Sequence, residues 1–423
     1  MPQPASRPLF RFAVVYLTLY AFATQIAGGV FLMPWAQLPA LGHVPPMRDV
    51  TMWLAEHVAG ARPPFIYVGN SGDTLFHWVQ TAWLLGLAAA LTGVWLAADR
   101  RRPDDAVRPW LHLFLRFGLA GQMFYYGMAK VIPVQFQQPS LVTLVQPVGH
   151  LSLSDLLWTF IGASTPYQML AGWAEVLAGV LLVVPATATI GAIVCLFDML
   201  QVFSLNMAYD FGLKQISGHL VVMALVLLAP DLGRLWRAAL NQAAAAAPAR
   251  PLLASARANR MAALAQVAVG LYLLALFTSL SLQAWRTEGD GRPRSPLYGI
   301  WDVVDLTIDD VATPPADADY DRRWRRVIFD APGTVAFQRT DDSVAHFGAR
   351  IDEGRRSLVL SKGSSRTWRS AFTVERTAED RLALTGEMDG HRVRVGLRRL
   401  ELDTFRLRGS RFRWVRPPDP YAG

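Results

Sequence analysis

Cysteine and lysine are what this sequence has least of. Cys195 is the one cysteine in 423 residues, which excludes a disulfide framework, a dithiol redox pair and a cysteine metal site within a single chain. Lysine occurs only at Lys130, Lys214 and Lys362, against 38 arginines. Charge of either sign is thin: 17% of residues are charged and 52% are hydrophobic, too apolar a balance for an ordinary soluble enzyme. The net charge of +8 is carried by arginines scattered over loops and tail without a long basic run, so no nucleic-acid partner is expected. No haem ligand pair, iron–sulfur cysteine set or dinucleotide glycine motif is present. No cofactor is evident, and no metal site is expected.

What the sequence does have is apolar runs. Residues 10–35, 74–97, 111–131, 167–184, 189–205, 215–228 and 261–284 read as about seven transmembrane helices. The first run follows Arg7 and Arg11. It is longer than a signal-peptide core and lacks an early small-residue cleavage site, so a retained helix is expected. Residues 37–73 form a polar interlude containing Pro45, Pro46, Pro63 and Pro64, with a short surface helix over 52–58. Pro185-Ala186-Thr187 makes a tight turn between two helices, and the apolar stretch 151–161 is too short to span. Asp99-Arg100-Arg101-Arg102 closes the second helix, and Arg234, Arg237, Arg250, Arg257 and Arg260 precede the seventh. Counting crossings from a cytoplasmic amino terminus puts both basic loops inside. The expectation is a multi-pass inner-membrane protein whose carboxyl-terminal domain is periplasmic.

From residue 285 the texture changes. Short alternating runs such as Arg325-Val327-Phe329, Val393-Val395-Leu397 and Phe405-Leu407 are separated by turns including Ala331-Pro332-Gly333 and Met388-Asp389-Gly390. Seven or eight hairpin-linked strands predict an antiparallel meander closed into a small barrel. Tyr298-Gly299-Ile300-Trp301 is similar to the Gly-x-Trp opening of lipocalin-like barrels. Acidic and basic residues nearly cancel here, so both a ligand-binding barrel and a structural or docking cap stay open.

The ionisable residues inside the apolar runs are the candidates for function, because charge at bilayer depth is costly and faces a bundle interior or a wet cavity. Arg116 and Lys130 lie fourteen residues apart on the third run, within about 40° of one face and about 21 Å apart along it. For both, snorkelling to headgroups is the alternative. The scarcity of lysine hints that a deprotonatable amine is wanted at Lys130. Glu175 sits mid-helix between Gly172 and Gly179, whose shared face permits close helix approach. At that depth a carboxylate must be protonated or paired. Asp198 lies at similar depth, Asn206, Asp210 and Lys214 follow near the outer end, and His219 comes one turn into the next helix. Together these predict a proton-handling polar cluster.

Leu115-Arg116-Phe117-Gly118, then Tyr126-Gly127-Met128-Ala129-Lys130, then Ala174-Glu175-Val176-Leu177-Ala178-Gly179 resembles the DoxX family of small four-helix membrane proteins. The resemblance covers roughly residues 111–230. It implies an association with quinone-linked sulfur oxidation and membrane oxidoreductase complexes, and the wider group is similar to the membrane half of vitamin K-dependent carboxylases. By resemblance, Arg116, Lys130 and Glu175 take the family's motif positions. Two extra amino-terminal helices, a seventh helix and the outer β-domain depart from the short members.

The resulting division is 1–110 (two helices and an outer loop), 111–230 (DoxX-like bundle), 231–284 (basic loop and seventh helix) and 285–423 (β-domain). Two functions follow. In one, the bundle holds a quinone, Lys130, Glu175 and His219 are catalytic, Arg116, Tyr126, Asp198, Asn206, Asp210 and Lys214 complete a polar cluster, and a redox partner subunit or small reductant supplies electrons. In the other, the protein is a non-catalytic envelope scaffold or lipid- or ligand-binding protein, with the lipid bilayer as its partner and the β-domain as a docking module. A transporter fits less well, since no inverted repeat is evident.

Overall fold

The computed structural model describes residues 6–33, 40–61, 72–99, 104–243, 251–314, 323–363, 367–409 and 414–415. Pro63, Pro64, Arg100, Arg101, Arg102 and Arg250 lie outside the described residues. The chain divides into two compact units, one of residues 1–135 with 166–283 and one of residues 136–165 with 284–423.

The first unit is helical: α1 (Ser6–Ala23), α2 (Gln25–Val30), α3 (Met47–His57), α4 (Leu75–Ala98) and α5 (Arg108–Val131). In the second unit the chain forms α6 (Leu141–Val145) and α7 (Leu153–Gly162) before returning to the first. There follow α8 (Thr165–Val183), α9 (Ala188–Ala208), α10 (Lys214–Leu228), α11 (Leu232–Ala239) and α12 (Ala256–Thr287). Among the described residues five helices are long and apolar enough to cross a membrane: α4, α8, α9, α10 with its continuation through α11, and α12. The remaining two of the seven expected runs are α1–α2 and α5.

The first run, expected as one helix, is broken at Thr24, whose extended backbone separates α1 from α2. The break is held by Thr24 itself, whose hydroxyl donates to the Tyr20 carbonyl at 2.8 Å. Helix α5 carries Arg108, Arg116, Gln122 and Lys130, and thirteen of its 24 residues are buried, which makes it the central helix of the unit. Leu17, Ile26, Leu84, Leu115, Met123 and Leu220 belong to the core around it. A Cβ on Gly172 would lie 2.7 Å from the Gly127 carbonyl and from Lys130 Cβ, and one on Gly179 would meet the Phe124 ring at 2.6 Å. The two glycines thus bring α8 against α5, as their spacing predicts.

The second unit is built on a closed antiparallel barrel of eight strands. These are β1 (Gly299–Ile308), β3 (Trp324–Phe329), β4 (Thr334–Arg339), β5 (Val344–Asp352), β6 (Ser357–Ser361), β7 (Arg369–Ala378), β8 (Arg381–Met388) and β9 (His391–Arg399). The two-residue β2 (Val311–Ala312) adds to β1, and β1 pairs with β9 to close the ring. Inward positions alternate along each strand and form a core of residues such as Trp301, Phe329, Phe337, Leu358 and Val395. Trp301 of the Gly-x-Trp opening is buried and donates its indole N–H to the Leu297 carbonyl at 2.9 Å. Gly299 before it has φ +149°, a conformation that favours glycine.

Two expectations need correction here. Phe405-Leu407 is not a strand; the chain forms a 3-10 turn at Leu402–Thr404 and a short helix α13 (Arg406–Gly409). The segment 136–165, expected as a loop of the bundle, packs with the β-unit. Ile300, Ile328 and Ala336 point to the opposite side of the pleat from the barrel core, and Leu141 of α6 covers them. The Leu141 amide donates to Asp330 at 3.1 Å and the Gln338 amide to the Val145 carbonyl at 3.1 Å. An outward apolar patch on strands calls for such a cover.

Candidate functional site

Lys130 and Glu175 meet. The ammonium donates to both carboxylate oxygens, at 2.7 and 2.8 Å, and the two residues are 7% and 1% exposed. The geometry follows from the glycines: Gly127 stands one turn before Lys130 and Gly172 one turn before Glu175, so the two backbones approach closely where the pair forms. A buried pair of this kind is stable only while both charges are present.

Asp198 of α9 is the third ionisable group. It lies close enough to Glu175 and Lys130 to interact with both, and to Cys195 one turn earlier on its own helix. Its Oδ2 is buried without a hydrogen-bond partner. With all three groups ionised the cluster carries a net charge of minus one, and a single added proton makes it neutral.

Tyr126 extends the site toward α2. Its ring lies 5.6 Å from Lys130 Nζ, and its hydroxyl accepts from the Gln25 side chain at 2.9 Å. The same amide nitrogen donates to Gln122 Oε1 at 2.9 Å. The break at Thr24 is what places Gln25 here, at the first position of α2. Tyr20, on the last turn of α1, is near enough to interact with Tyr126, Tyr16 and Asp73.

His219 does not join Lys130 and Glu175, contrary to expectation. Its Nε2 pairs with the Tyr16 hydroxyl at 2.6 Å, its Nδ1 with the Gln215 carbonyl at 2.6 Å, and its ring stacks on Tyr20 at 3.6 Å. A histidine Nδ1 facing a carbonyl is a donor, so Nε2 accepts the tyrosine proton in the neutral ring. The aromatic stack thus ties α10 to α1, and Tyr20 links it to the Tyr126 side.

The other predicted residues serve the helix ends. Arg116 donates from Nε to the Leu182 carbonyl at 2.8 Å and from Nη2 to the Val183 carbonyl at 2.7 Å. It therefore caps the end of α8, where carbonyls lack helical partners, rather than joining the polar cluster. Asn206 donates to the Leu213 carbonyl at 3.3 Å and the Ser217 hydroxyl at 3.1 Å, fixing the α9–α10 turn. Lys214 bonds Asp210 at 2.6 Å, and this hydrogen bond and attraction hold the exposed Asp210 carboxyl below its ordinary range.

Several residues escaped sequence reasoning. Asp73 accepts the backbone amides of Lys214 at 2.7 Å and Gln215 at 3.0 Å, capping α10 from 141 residues away. Buried Arg11 closes the end of α4 through the Trp95 and Asp99 carbonyls, each at 3.0 Å, and pairs with Asp104 at 2.8 Å. Amides at Gln25 and Gln122 inside apolar runs, and the i, i+4 pair Tyr16 and Tyr20, were the available signals.

In the β-unit, one cavity of about 350 Å³ opens within the barrel, walled by Trp324, Phe337 and Phe347 and carrying Arg339, Lys362 and His391. Among the described residues no group of three or more His, Cys, Asp or Glu is arranged to hold a metal ion.

No family model matches the chain, and no solved structure matches it. Among characterised and uncharacterised curated proteins, it is 35% identical over 130 residues to the uncharacterised protein YwoB of Bacillus subtilis strain 168. The match takes in 31% of this chain and 82% of that protein.

Proposed function

We propose, for a chain that belongs to the same family as YwoB, that the helical unit is a DoxX-like, proton-handling module of membrane redox chemistry. The observation that carries this reading is the buried Lys130–Glu175 pair, with the unpartnered Asp198 carboxylate within electrostatic reach of it, on three helices inside an apolar bundle. Lys130 bonds both oxygens of Glu175, and a second carboxylate, Asp198, lies within electrostatic reach of the pair with its Oδ2 unpartnered; a structural pair alone would need no second carboxylate. Exchange of one proton switches the cluster between neutral and singly charged, the change that a proton-coupled reaction requires.

Quinone is the redox partner class that the DoxX resemblance implies. Lys130 and Glu175 are buried; the cavity at Tyr20 and Thr24, which neither of them lines, is about 20 Å³, room for a water. The proposal accordingly rests on proton exchange at the chain's own residues. Cys195 alone supports no iron–sulfur cluster, so electrons come from a partner subunit or a small reductant. In the same proposal the protein resides in the inner membrane with a cytoplasmic amino terminus, and the barrel faces the periplasm.

The second reading, a non-catalytic envelope protein with an outer binding module, is favoured by the aromatic-walled cavity of the barrel. Mass spectrometry of small molecules retained after gentle detergent purification separates the two. A stoichiometric quinone in the parent, lost in Glu175→Gln, supports the redox module. Phospholipid alone in both proteins removes it and leaves the scaffold.

A further inference from the structure

A larger cavity, of about 880 Å³, opens in the helical unit where α5 begins and α8 turns into α9. Arg108, His112 and Arg116 of α5 all line it. Spaced by four, these residues fall within about 80° of one another around the helix and along about 12 Å of its length, a single basic stripe. The acids on the lining are Asp105 and Asp231, and Asp231 is engaged by Arg234 and Thr189, each at 3.4 Å. Helices α5 and α9 both begin at this cavity without a side-chain cap, at Val107 and Thr187. Their amino-terminal amides add positive potential to the stripe. The rest of the wall is apolar, with Leu113, Ala192, Leu227, Ala262 and Ala263. A basic stripe running into an apolar slot between spanning helices has the make-up of a site for an amphiphile with an anionic head.

We infer that this cavity binds a membrane phospholipid with an anionic headgroup, its phosphate against Arg108 and His112 and its acyl chains along the wall formed by α10 and α12. Arg116 has Nε and Nη2 committed to the end of α8, so it contributes charge to the floor. Arg108 is steadied by the Phe10 ring, 4.6 Å below its guanidinium. The volume far exceeds that of a phosphate, and the apolar wall belongs to helices of spanning length; both select a lipid over a soluble phosphate compound. The inference is independent of the proton-handling reading, since Lys130, Glu175 and Asp198 do not line this cavity.

The test uses the full-length protein, stripped of lipid by prolonged detergent exchange and reloaded with phosphatidylglycerol or phosphatidylcholine. Native mass spectrometry reads the bound lipid and a thermal melt reads the stabilisation. Phosphatidylglycerol should be retained and raise the melting temperature more than phosphatidylcholine. Arg108→Gln combined with His112→Gln should weaken phosphatidylglycerol binding by about tenfold or more and weaken phosphatidylcholine, whose phosphate is already balanced by its own choline, by less. Ala263→Trp, filling the apolar wall without touching a charge, should remove both lipids. Equal retention of the two lipids, or phosphatidylglycerol binding untouched by both variants, would overturn the inference. Displacement of the lipid by equimolar glycerol 3-phosphate would also overturn it, by revealing a soluble phosphate site.

Discussion

Substitution at Lys130 and at Glu175 is expected to be unequal in its effect. Removing one partner of a buried ion pair costs about 3–5 kcal/mol because the other charge stays behind uncompensated. Lys130→Met leaves two carboxylates, Glu175 and Asp198, which repel each other without the nearby cation, and belongs at the upper end of that range. Glu175→Gln leaves Lys130 with Asp198, which is close enough to interact with it, and belongs at or below the lower end. The double variant Lys130→Met with Glu175→Gln removes both charges together and should cost less than the sum of the singles by about 2–3 kcal/mol. For a unit of this size each kcal/mol is about 2–4 °C in Tm, so Lys130→Met should melt about 10–20 °C below the parent in detergent. The assay is a thermal melt of the four proteins, with insertion checked in the membrane fraction. Additive effects within about 0.5 kcal/mol, or a greater loss from Glu175→Gln than from Lys130→Met, would refute both the pairing energetics and the role given to Asp198.

Three further outcomes follow from local geometry. Gly172→Ala sets a Cβ 2.7 Å from the Gly127 carbonyl and the Val131 amide, and should lower stability by about 1–3 kcal/mol in the same melt by pushing α8 off α5. Asp73→Ala removes the acceptor of two amides at the start of α10. It should cost about 1–3 kcal/mol, and hydrogen exchange should show faster amides at Lys214 and Gln215. His43 lies in the 3-10 turn Leu41–His43, outside the spanning helices, and burial, aided by His77, pushes its pKa from 6.5 down to about 4. Between those values the unfolded chain binds a proton that the folded one does not, so stability falls as pH drops through that window. His43→Gln should flatten the acid side of a Tm-against-pH profile.

How far the site was legible depends on what each residue answers to. Lys130 and Glu175 could be singled out because isolated charge at bilayer depth demands a partner, and the Gly172–Gly179 face on the helix of Glu175 reported a close approach; the part played by Gly127 opposite shows only in the packing. His219 met the same depth criterion and led elsewhere, since depth along a helix leaves its azimuth unknown. The ring is turned toward Tyr16 and Tyr20, and only the packing of α10 on α1 decides that. Arg116 looked like a functional or snorkelling charge; the two carbonyls at the end of α8 that claim it belong to a helix 66 residues later. The barrel was readable because period-two alternation and short turns are local signals. The cover provided by Leu141 was hidden, because an outward apolar patch on Ile300, Ile328 and Ala336 appears only after the strands are paired.

The break at Thr24 gives the clearest case of a local irregularity with a consequence at the site. A straight helix through residues 6–30 would carry the Gln25 side chain past Gln122 and Tyr126; the extended Thr24 resets the backbone so that one amide nitrogen reaches both, each at 2.9 Å. Irregular backbone at membrane depth is tolerated where it is buried in protein, and Ile26 and Ala27 just after the break are buried. Gln25→Leu keeps the volume and deletes both bonds, leaving the buried Gln122 oxygen without its donor, at a cost of about 1–3 kcal/mol. Gln25→Glu keeps an acceptor but no donor at that place and adds a negative charge near Tyr126 and Glu175, so it should be worse than leucine. Thermal melts rank the two, and hydrogen exchange at residues 24–30 shows whether α2 loosens. If leucine proves neutral and α2 keeps its protection, the break is held by packing around Ile26 alone, and the polar link from Tyr126 to α2 has no part in stabilising the site.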